Sequence, residues 1–297
     1  MKSGIIILDK PEGMTSQGAV NRVKRLFGVK KAGHTGTLDP LATGVLPILV
    51  GRAVKASEYM LTSDKHYMAT LLLGISTDTE DITGETLTAS DSIPAESEVL
   101  AAVNSMLGES EQIPPMFSAI KIGGKKLYDL AREGKVIERE PRKITVRKIS
   151  AKRLSEREYE IDVLCSKGTY IRTLCADIGK KLGCGGVMKT LRRASSAGFT
   201  LNNAHTPEEI EKMSEEEREA LIIPVEKIFE ELMKITLPPF FARLARCGAP
   251  IYQRKLGLSL EIGRRVTLFD EKGFFALGEV EECEEGTAIK PIKQFDT

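Results

Sequence analysis

The first third of the chain contains two kinds of hydrophobic pattern. Residues Gly4 to Leu8 are apolar almost without interruption, which is typical of a buried strand. Apolar residues then recur at helical spacing between Thr15 and Gly28, and basic residues occupy the opposite face. This spacing predicts an amphipathic helix that Thr15 or Ser16 caps and that Gly28 ends.

Later segments continue this mixture of strands and helices. We expect helices over residues 51–61 and 95–107, and a further helix that begins near Thr169. Strands are predicted over 67–73, 142–153 and 158–165. In the last of these, apolar residues alternate with mostly acidic ones in a nearly regular period of two, which indicates a strand with one buried face.

The pattern changes character after Leu237-Pro238-Pro239. Short strand-like pieces follow, separated by turns that contain glycine, at Ser259–Ile262, Arg265–Phe269 and Phe274–Val280. Several short strands joined in this way are typical of a small β-barrel. We therefore divide the chain into a large domain, residues 1–235, and a small one, residues 236–297.

Composition narrows the class of protein. The chain has 297 residues, of which 41% are apolar, and no apolar run has the length of a membrane span. Its five cysteines form no C-x-x-C pair and its three histidines are scattered, so we expect no metal site. The chain runs directly into a strand without a signal-peptide pattern, which predicts a cytoplasmic protein.

Charge is unevenly placed although the net charge is only +1. Seven basic side chains and one acidic one lie between residues 139 and 153, whereas residues 208–231 contain ten glutamates and three basic residues. A basic cluster is often just a solvated face. Further basic residues flank the motifs of the candidate site, which include residues 33–44. We therefore favour binding of a nucleic acid over a solvated face.

Residues 33–44 follow neither a helical nor a strand period. Their glycines, threonines and Pro40 favour a rigid loop, in which His34 and Asp39 are the only ionisable side chains. A rigid loop with one lone carboxylate is a candidate catalytic loop. An Asp before a Pro is also a common turn or helix-cap residue, so the residue types alone leave both interpretations open.

Four motifs carry a resemblance to a known family. They are Lys10–Ser16, the loop continued through Ile48, Pro114–Ala119 with Lys121, and Lys167–Leu174. Over roughly residues 3–235 the chain resembles the bacterial tRNA pseudouridine synthase B (TruB) family. The resemblance implies an α+β fold with a mixed, mainly antiparallel sheet and flanking helices. The C-terminal part resembles, less closely, the PUA RNA-binding domain.

The resemblance also implies the reaction and its residues. Members of the family isomerise uridine to pseudouridine at position 55, in the T loop of tRNA. The matching catalytic residues are Asp39 as nucleophile, Arg172 as its partner and Tyr67 against the base. Substrate-binding or supporting positions are Lys10, His34, Lys121, Tyr170 and Leu191. The sequence is compatible with attack by Asp39 on C6 of the base and equally with attack on C1′ of the ribose. The chemistry requires no metal and no cofactor.

The expected partner is tRNA, bound through its T loop and stem, with no membrane and no obligatory protein partner. One rival is a related synthase that acts on other RNA with a guide RNA and partner proteins. A second is a non-catalytic RNA-binding protein or RNA chaperone. A phosphate-binding enzyme of the P-loop type is disfavoured because no G-x-x-x-x-G-K-[ST] run exists.

Overall fold

A computed structural model describes residues 2–295, which form eighteen strands and nine α-helices. The strands are β1 Gly4–Lys10, β2 Ala32–His34, β3 Thr43–Val50, β4 Lys65–Leu73, β5 Ile75–Thr77, β6 Thr86–Ala89, β7 Gly108–Gln112, β8 Lys121–Ile122, β9 Lys125–Lys126, β10 Arg142–Arg153, β11 Glu158–Cys165, β12 Gly186–Ser196, β13 Phe199–Thr200, β14 Met233–Thr236, β15 Ile251–Tyr252, β16 Arg265–Asp270, β17 Gly273–Cys283 and β18 Gly286–Gln294. The helices are α1 Ser16–Phe27, α2 Ser57–Leu61, α3 Glu96–Asn104, α4 Leu127–Arg132, α5 Ile171–Leu182, α6 Pro207–Lys212, α7 Glu215–Ala220, α8 Pro239–Arg246 and α9 Gln253–Leu256.

The larger sheet has nine strands. Seven of them follow the order β1-β3-β12-β4-β11-β10-β7, while β2 pairs with β3 and β13 pairs with β12. Neighbouring strands are antiparallel except β12 and β3, which are parallel. This arrangement confirms the predicted α+β class with a mixed, mainly antiparallel sheet.

Strands β1 and β3 contain uninterrupted apolar runs, at residues 5–8 and 45–50, because both faces of this part of the sheet are covered. In β3, Leu46 and Ile48 pack into the main core beneath α1, whereas Val45 and Leu49 pack into a second cluster on the opposite face. Successive side chains of a strand point to opposite faces, so a strand between two cores needs apolar residues at every position.

Helix α1 begins and ends at the residues that its sequence predicts. The Thr15 hydroxyl accepts a hydrogen bond from the Gly18 N–H at 2.9 Å and so caps the first turn. Gly28 terminates the helix in the left-handed region, at φ 64°. Of the predicted apolar stripe, Ala19, Val20, Val23 and Phe27 are buried, whereas Leu26 is only partly buried.

Three predicted elements differ from the structure. Residues 51–61 form a 3₁₀-helix, Gly51–Ala56, followed by the short helix α2, rather than one α-helix. The helix predicted over 95–107 stops at Asn104. The segment Ser259–Ile262 is not a strand, because its Leu260 N–H bonds to the Gln253 side chain instead of a neighbouring strand.

A second sheet of five strands, ordered β14-β16-β17-β18-β15, contains the C-terminal part of the chain. It has its own hydrophobic cluster, which includes Val266, Leu268 and Phe275. The chain enters this sheet at Met233, so the proposed domain boundary at residue 236 falls within β14. That boundary remains a prediction.

Aromatic rings fill the junction between the two sheets. The rings of Tyr59 and Phe229 meet edge to face at 5.2 Å, and those of Phe274 and Phe295 stack at 5.4 Å.

None of the helices among the described residues combines the length and the apolar character that crossing a bilayer requires.

Helix α5 packs directly on β12 at a pair of glycines. A methyl group at Gly179 would collide with the backbone of Gly185 and Gly186. We expect Gly179→Ala to lower the free energy of unfolding by about 2–3 kcal/mol, because the crowding is against backbone that cannot turn aside. Denaturant unfolding measures the change.

Gly183→Ala is the matched control in the same helix. Gly183 has φ +74° at the helix C-cap and open space around it, so only the backbone conformation resists the methyl group. We expect a loss of about 1 kcal/mol there. Equal losses at the two positions would contradict the close approach of α5 to β12.

Candidate active site

The loop that carries Asp39 connects β2 to β3 and is fixed on both sides of that residue. The Ser16 hydroxyl donates to the Leu38 carbonyl at 2.9 Å and accepts from the Leu38 N–H at 2.8 Å. The Pro40 carbonyl accepts the Gly13 N–H at 2.8 Å. Because both neighbours of Asp39 are held, its side chain projects from a rigid backbone, as the sequence predicts.

Arg172 lies in the first turn of α5, as predicted, and its side chain is 6% exposed. Its Nε lies 3.0 Å from Asp39 Oδ2. Nη1 donates to the Thr79 carbonyl at 3.1 Å, and Nη2 donates to the Phe117 carbonyl at 2.7 Å. The guanidinium therefore has every nitrogen engaged and cannot rotate away from Asp39 without breaking contacts to two other segments.

A second carboxylate, Asp81, stands behind Arg172. Its Oδ2 lies 3.7 Å from Arg172 Nη1. Its Oδ1 accepts hydrogen bonds from the Thr79 hydroxyl and from the Thr83 N–H and hydroxyl, at 2.6–2.9 Å. Asp81 is 6% exposed, whereas the Asp39 side chain is 37% exposed. One carboxylate is thus buried as a support, and the other is open to a ligand.

Burial and the neighbouring charges shift the pKa of Asp39 in opposite directions. Burial raises the pKa of the Asp39 carboxyl above its ordinary value, and Arg172 acts in the opposite direction. Asp81 raises this pKa and Lys10 lowers it. Arg172 acts in the direction that the sequence predicts, but desolvation is the larger effect.

Two neighbouring strands of the sheet supply further predicted residues. Tyr67 lies on β4 opposite Arg193 of β12, and it is 7% exposed. Burial is the main cause that raises the pKa of its hydroxyl, and the Asp39 charge adds to it. Leu191 lies two residues earlier on β12, is 8% exposed, and its carbonyl accepts the Thr43 hydroxyl at 3.4 Å. Both side chains belong to the main core cluster at its edge.

Tyr170 precedes α5 and is held by a pair of hydrogen bonds to one side chain. Its N–H donates to Gln112 Oε1 at 2.8 Å, and its carbonyl accepts from Gln112 Nε2 at 3.1 Å. Burial raises the pKa of its hydroxyl, and both Arg172 and Asp39 act on it. Lys121 is different, because it is exposed on the β8–β9 hairpin and no hydrogen bond or ion pair within residues 2–295 joins it to Asp39.

His34 and Lys10 complete the predicted set. His34 ends β2 and is half-buried; its Nδ1 accepts the Gly36 N–H at 3.4 Å, and burial lowers the pKa of the ring. Lys10 is fully buried, and its Nζ donates to the carbonyls of Pro11, Met14 and Pro40 at 2.7–3.3 Å. Burial lowers the pKa of Lys10 to about 8. Lys10 thus supports the loop from beneath.

Sequence reasoning missed Asp81. The turn-rich stretch from Thr77 to Gly84 contains several acidic residues. No local pattern separates Asp81 from Asp78 or Glu80. Only the folded chain brings Asp81 to Arg172, which lies 91 positions away.

Known proteins resemble this chain over most of its length. The family model for the N-terminal domain of TruB family pseudouridylate synthases matches residues 24–171, and the model for the C-terminal domain of tRNA pseudouridylate synthase B matches residues 172–230. A tRNA pseudouridine synthase B from Alkaliphilus oremlandii is 45% identical over 278 residues, which cover 93% of this chain and 92% of the relative.

A second relative and a solved structure extend the likeness. A tRNA pseudouridine synthase B from Neisseria gonorrhoeae is 40% identical over 296 residues, 99% of this chain and 95% of its own length. A chain in the structure of an H/ACA RNP bound to a substrate RNA containing 2′-deoxyuridine superimposes with a TM-score of 0.70 at 25% identity, covering 99% of this chain and 85% of the other. The chain belongs to the TruB family of pseudouridylate synthases.

Proposed function

We propose that this protein converts the uridine at position 55 in the T loop of tRNA into pseudouridine, with Asp39 as the nucleophile. The observation that carries the proposal is a carboxylate whose side chain is 37% exposed, fixed in a rigid loop and held 3.0 Å from an arginine that two backbone carbonyls keep in place. Membership of the family and the names of the relatives support the reaction and its tRNA substrate.

The reaction breaks the bond from C1′ to N1 of the base and rebuilds it from C1′ to C5. A group that attacks carbon, carries no proton at neutral pH and leaves again serves this purpose, and a carboxylate does all three. Burial raises the pKa of Asp39, and the Arg172 guanidinium opposes that shift and so favours the ionised form that attack requires. Attack on C6 and attack on C1′ both fit this geometry.

Arg172 orients the nucleophile, and Tyr67 lies against the uracil. The carbonyls of Thr79 and Phe117 already hold the two terminal nitrogens of the Arg172 guanidinium. Because the group is planar, the direction in which its Nε faces Asp39 is fixed. Tyr67 comes from β4, and the Asp39 charge is near enough to raise the pKa of its hydroxyl. We assign it to packing on the base and to assisting removal of the C5 proton.

A uridine stacked within a folded T loop cannot reach this carboxylate, so the base must flip out of the RNA. We infer that Tyr170 and Leu191 border the pocket that receives the base, and that His34 occupies the space that the base leaves. Lys121 projects from an exposed hairpin and is suited to the phosphate backbone. Lys10 is assigned to supporting the loop.

The C-terminal sheet is proposed as a second surface for tRNA, with a PUA-like role. Its partner is the T loop and stem of tRNA together with the adjoining part of the molecule. Since the substrate of such an enzyme is tRNA, we infer a cytoplasmic location. The proposed chemistry uses only side chains of this chain and the RNA, so it calls for neither a cofactor nor an obligatory protein partner.

Asp39→Asn should reduce turnover by at least about 1,000-fold, because the amide cannot act as the nucleophile. Release of tritium from tRNA labelled at C5 of uridine measures the reaction, and filter binding measures affinity. We expect the affinity for tRNA to change by less than about threefold, since the side chain keeps its size. As a control, Asp91→Asn alters an exposed aspartate that pairs with Arg157. Turnover by Asp39→Asn at the wild-type rate would refute the assignment.

Two variants of Arg172 separate its charge from its shape. Arg172→Lys keeps the charge but loses the planar fork, so we expect the single-turnover rate to fall by about 10–100-fold with little change in affinity. Arg172→Gln also removes the charge that lowers the pKa of Asp39.

The rate requires ionised Asp39, so it falls as pH drops through the pKa of that group. In Arg172→Gln this acid limb should move to higher pH, whereas in Arg172→Lys it should stay near the wild-type position. Rate measurements from pH 5 to 8 reveal the limb. An unchanged limb in Arg172→Gln would show that the guanidinium does not act on the nucleophile.

A further inference from the structure

Arg193 lies on β12 and fastens both ends of the loop that carries Asp39. Its side chain is almost completely buried, with 1% of the residue exposed. Nε donates to the Val45 carbonyl at 2.7 Å, and Nη2 donates to the Gly36 carbonyl at 3.1 Å. One of these carbonyls precedes Asp39 in the chain and the other follows it, so a single guanidinium closes the loop at its base.

The same residue joins two neighbouring strands. Its backbone pairs with Gly44 of β3 on one side and with Tyr67 of β4 on the other. Gly44 has φ +102°, and a methyl group there would lie within 3.0 Å of three backbone atoms of Arg193, so the approach requires glycine. The positive charge of Arg193 also lowers the pKa of the Tyr67 hydroxyl, against the larger effect of burial. Arg193 therefore contacts the segments that carry both proposed reacting groups.

Burial of the Arg193 charge is energetically unfavourable by itself. Within residues 2–295, no carboxylate lies at salt-bridge distance from Arg193, although two other buried cations are close to it. The pKa of both Lys10 and Lys65 is lowered to about 8, chiefly by burial, and the Arg193 charge contributes to both shifts. Burying like charges together costs free energy, and a neutral donor could hold two carbonyls without that cost.

We propose that Arg193 is a positioning residue for the isomerisation, which sets the separation between Asp39 and Tyr67 around the flipped uracil. The inference rests on the proposed function of the Asp39 site. A guanidinium suits this role because its donors are fixed in one plane, so one rigid group holds the carbonyls of Gly36 and Val45 at a set separation. A displacement of about 1 Å between reacting groups is enough to cost about 100-fold in rate.

The test compares Arg193→Met and Arg193→Lys with the wild type in single-turnover reactions on tRNA at saturating enzyme. We expect Arg193→Met to be about 100-fold slower, while the Kd for tRNA stays within about threefold and the thermal unfolding midpoint shows a folded protein. Arg193→Lys should recover about 10-fold of the loss, because it restores one donor. Arg192→Met is the matched neighbour: Arg192 pairs with Asp9, 2.7 Å away, and its loss should change the rate by less than about threefold.

A double-mutant cycle with Tyr67→Phe distinguishes positioning from general stability. If Arg193 acts partly through the Tyr67 hydroxyl, Arg193→Met should cost clearly less in the Tyr67→Phe background than in the wild type. Losses that multiply independently, or a rate equal to wild type, would overturn the proposal. If Arg193→Met does not fold, Arg193→Lys decides: a slower rate at unchanged Kd supports positioning, and an equal rate overturns it. A wild-type protein without any activity would instead overturn the proposed function itself.

Discussion

The Arg172 guanidinium is the contact on which the site depends. It joins the loop of Asp39, the turn that contains Thr79 and Asp81, and the segment that contains Phe117, while its own backbone begins helix α5. Four parts of the chain that are far apart in sequence therefore meet at one planar group. A lysine has the charge but not the geometry for this role, because its single nitrogen cannot satisfy carbonyls and carboxylates in fixed directions at once.

The site carries an unusual excess of buried positive charge. Lys10, Lys65 and Arg193 lie in or beneath the site, whereas Asp39 is the one carboxylate there that is substantially exposed. Fixed positive charge suits the proposed reaction, in which it would stabilise the ionised nucleophile, the RNA phosphates and the negative charge that develops on uracil.

Local patterns predicted a good part of this molecule. The caps of α1, the alternation in residues 158–165 and the rigid loop around Asp39 are encoded within a few residues, and the structure has them. The support of Arg172 by Asp81 was not predictable, because it arises from a contact between distant segments. The burial of Lys10 was likewise invisible in the sequence, since a lysine is normally exposed and only the fold brings three carbonyls to its Nζ.

The most direct test of the central claim is to map pseudouridine on complete tRNA transcripts by carbodiimide-dependent stops of reverse transcription. Wild-type protein should produce one new stop, at position 55 of the T loop, and protein with Asp39→Asn should produce none. No stop with the wild type, despite tight binding of tRNA, would contradict the catalytic role and favour an RNA-binding protein. Stops only at other positions would contradict the proposed substrate.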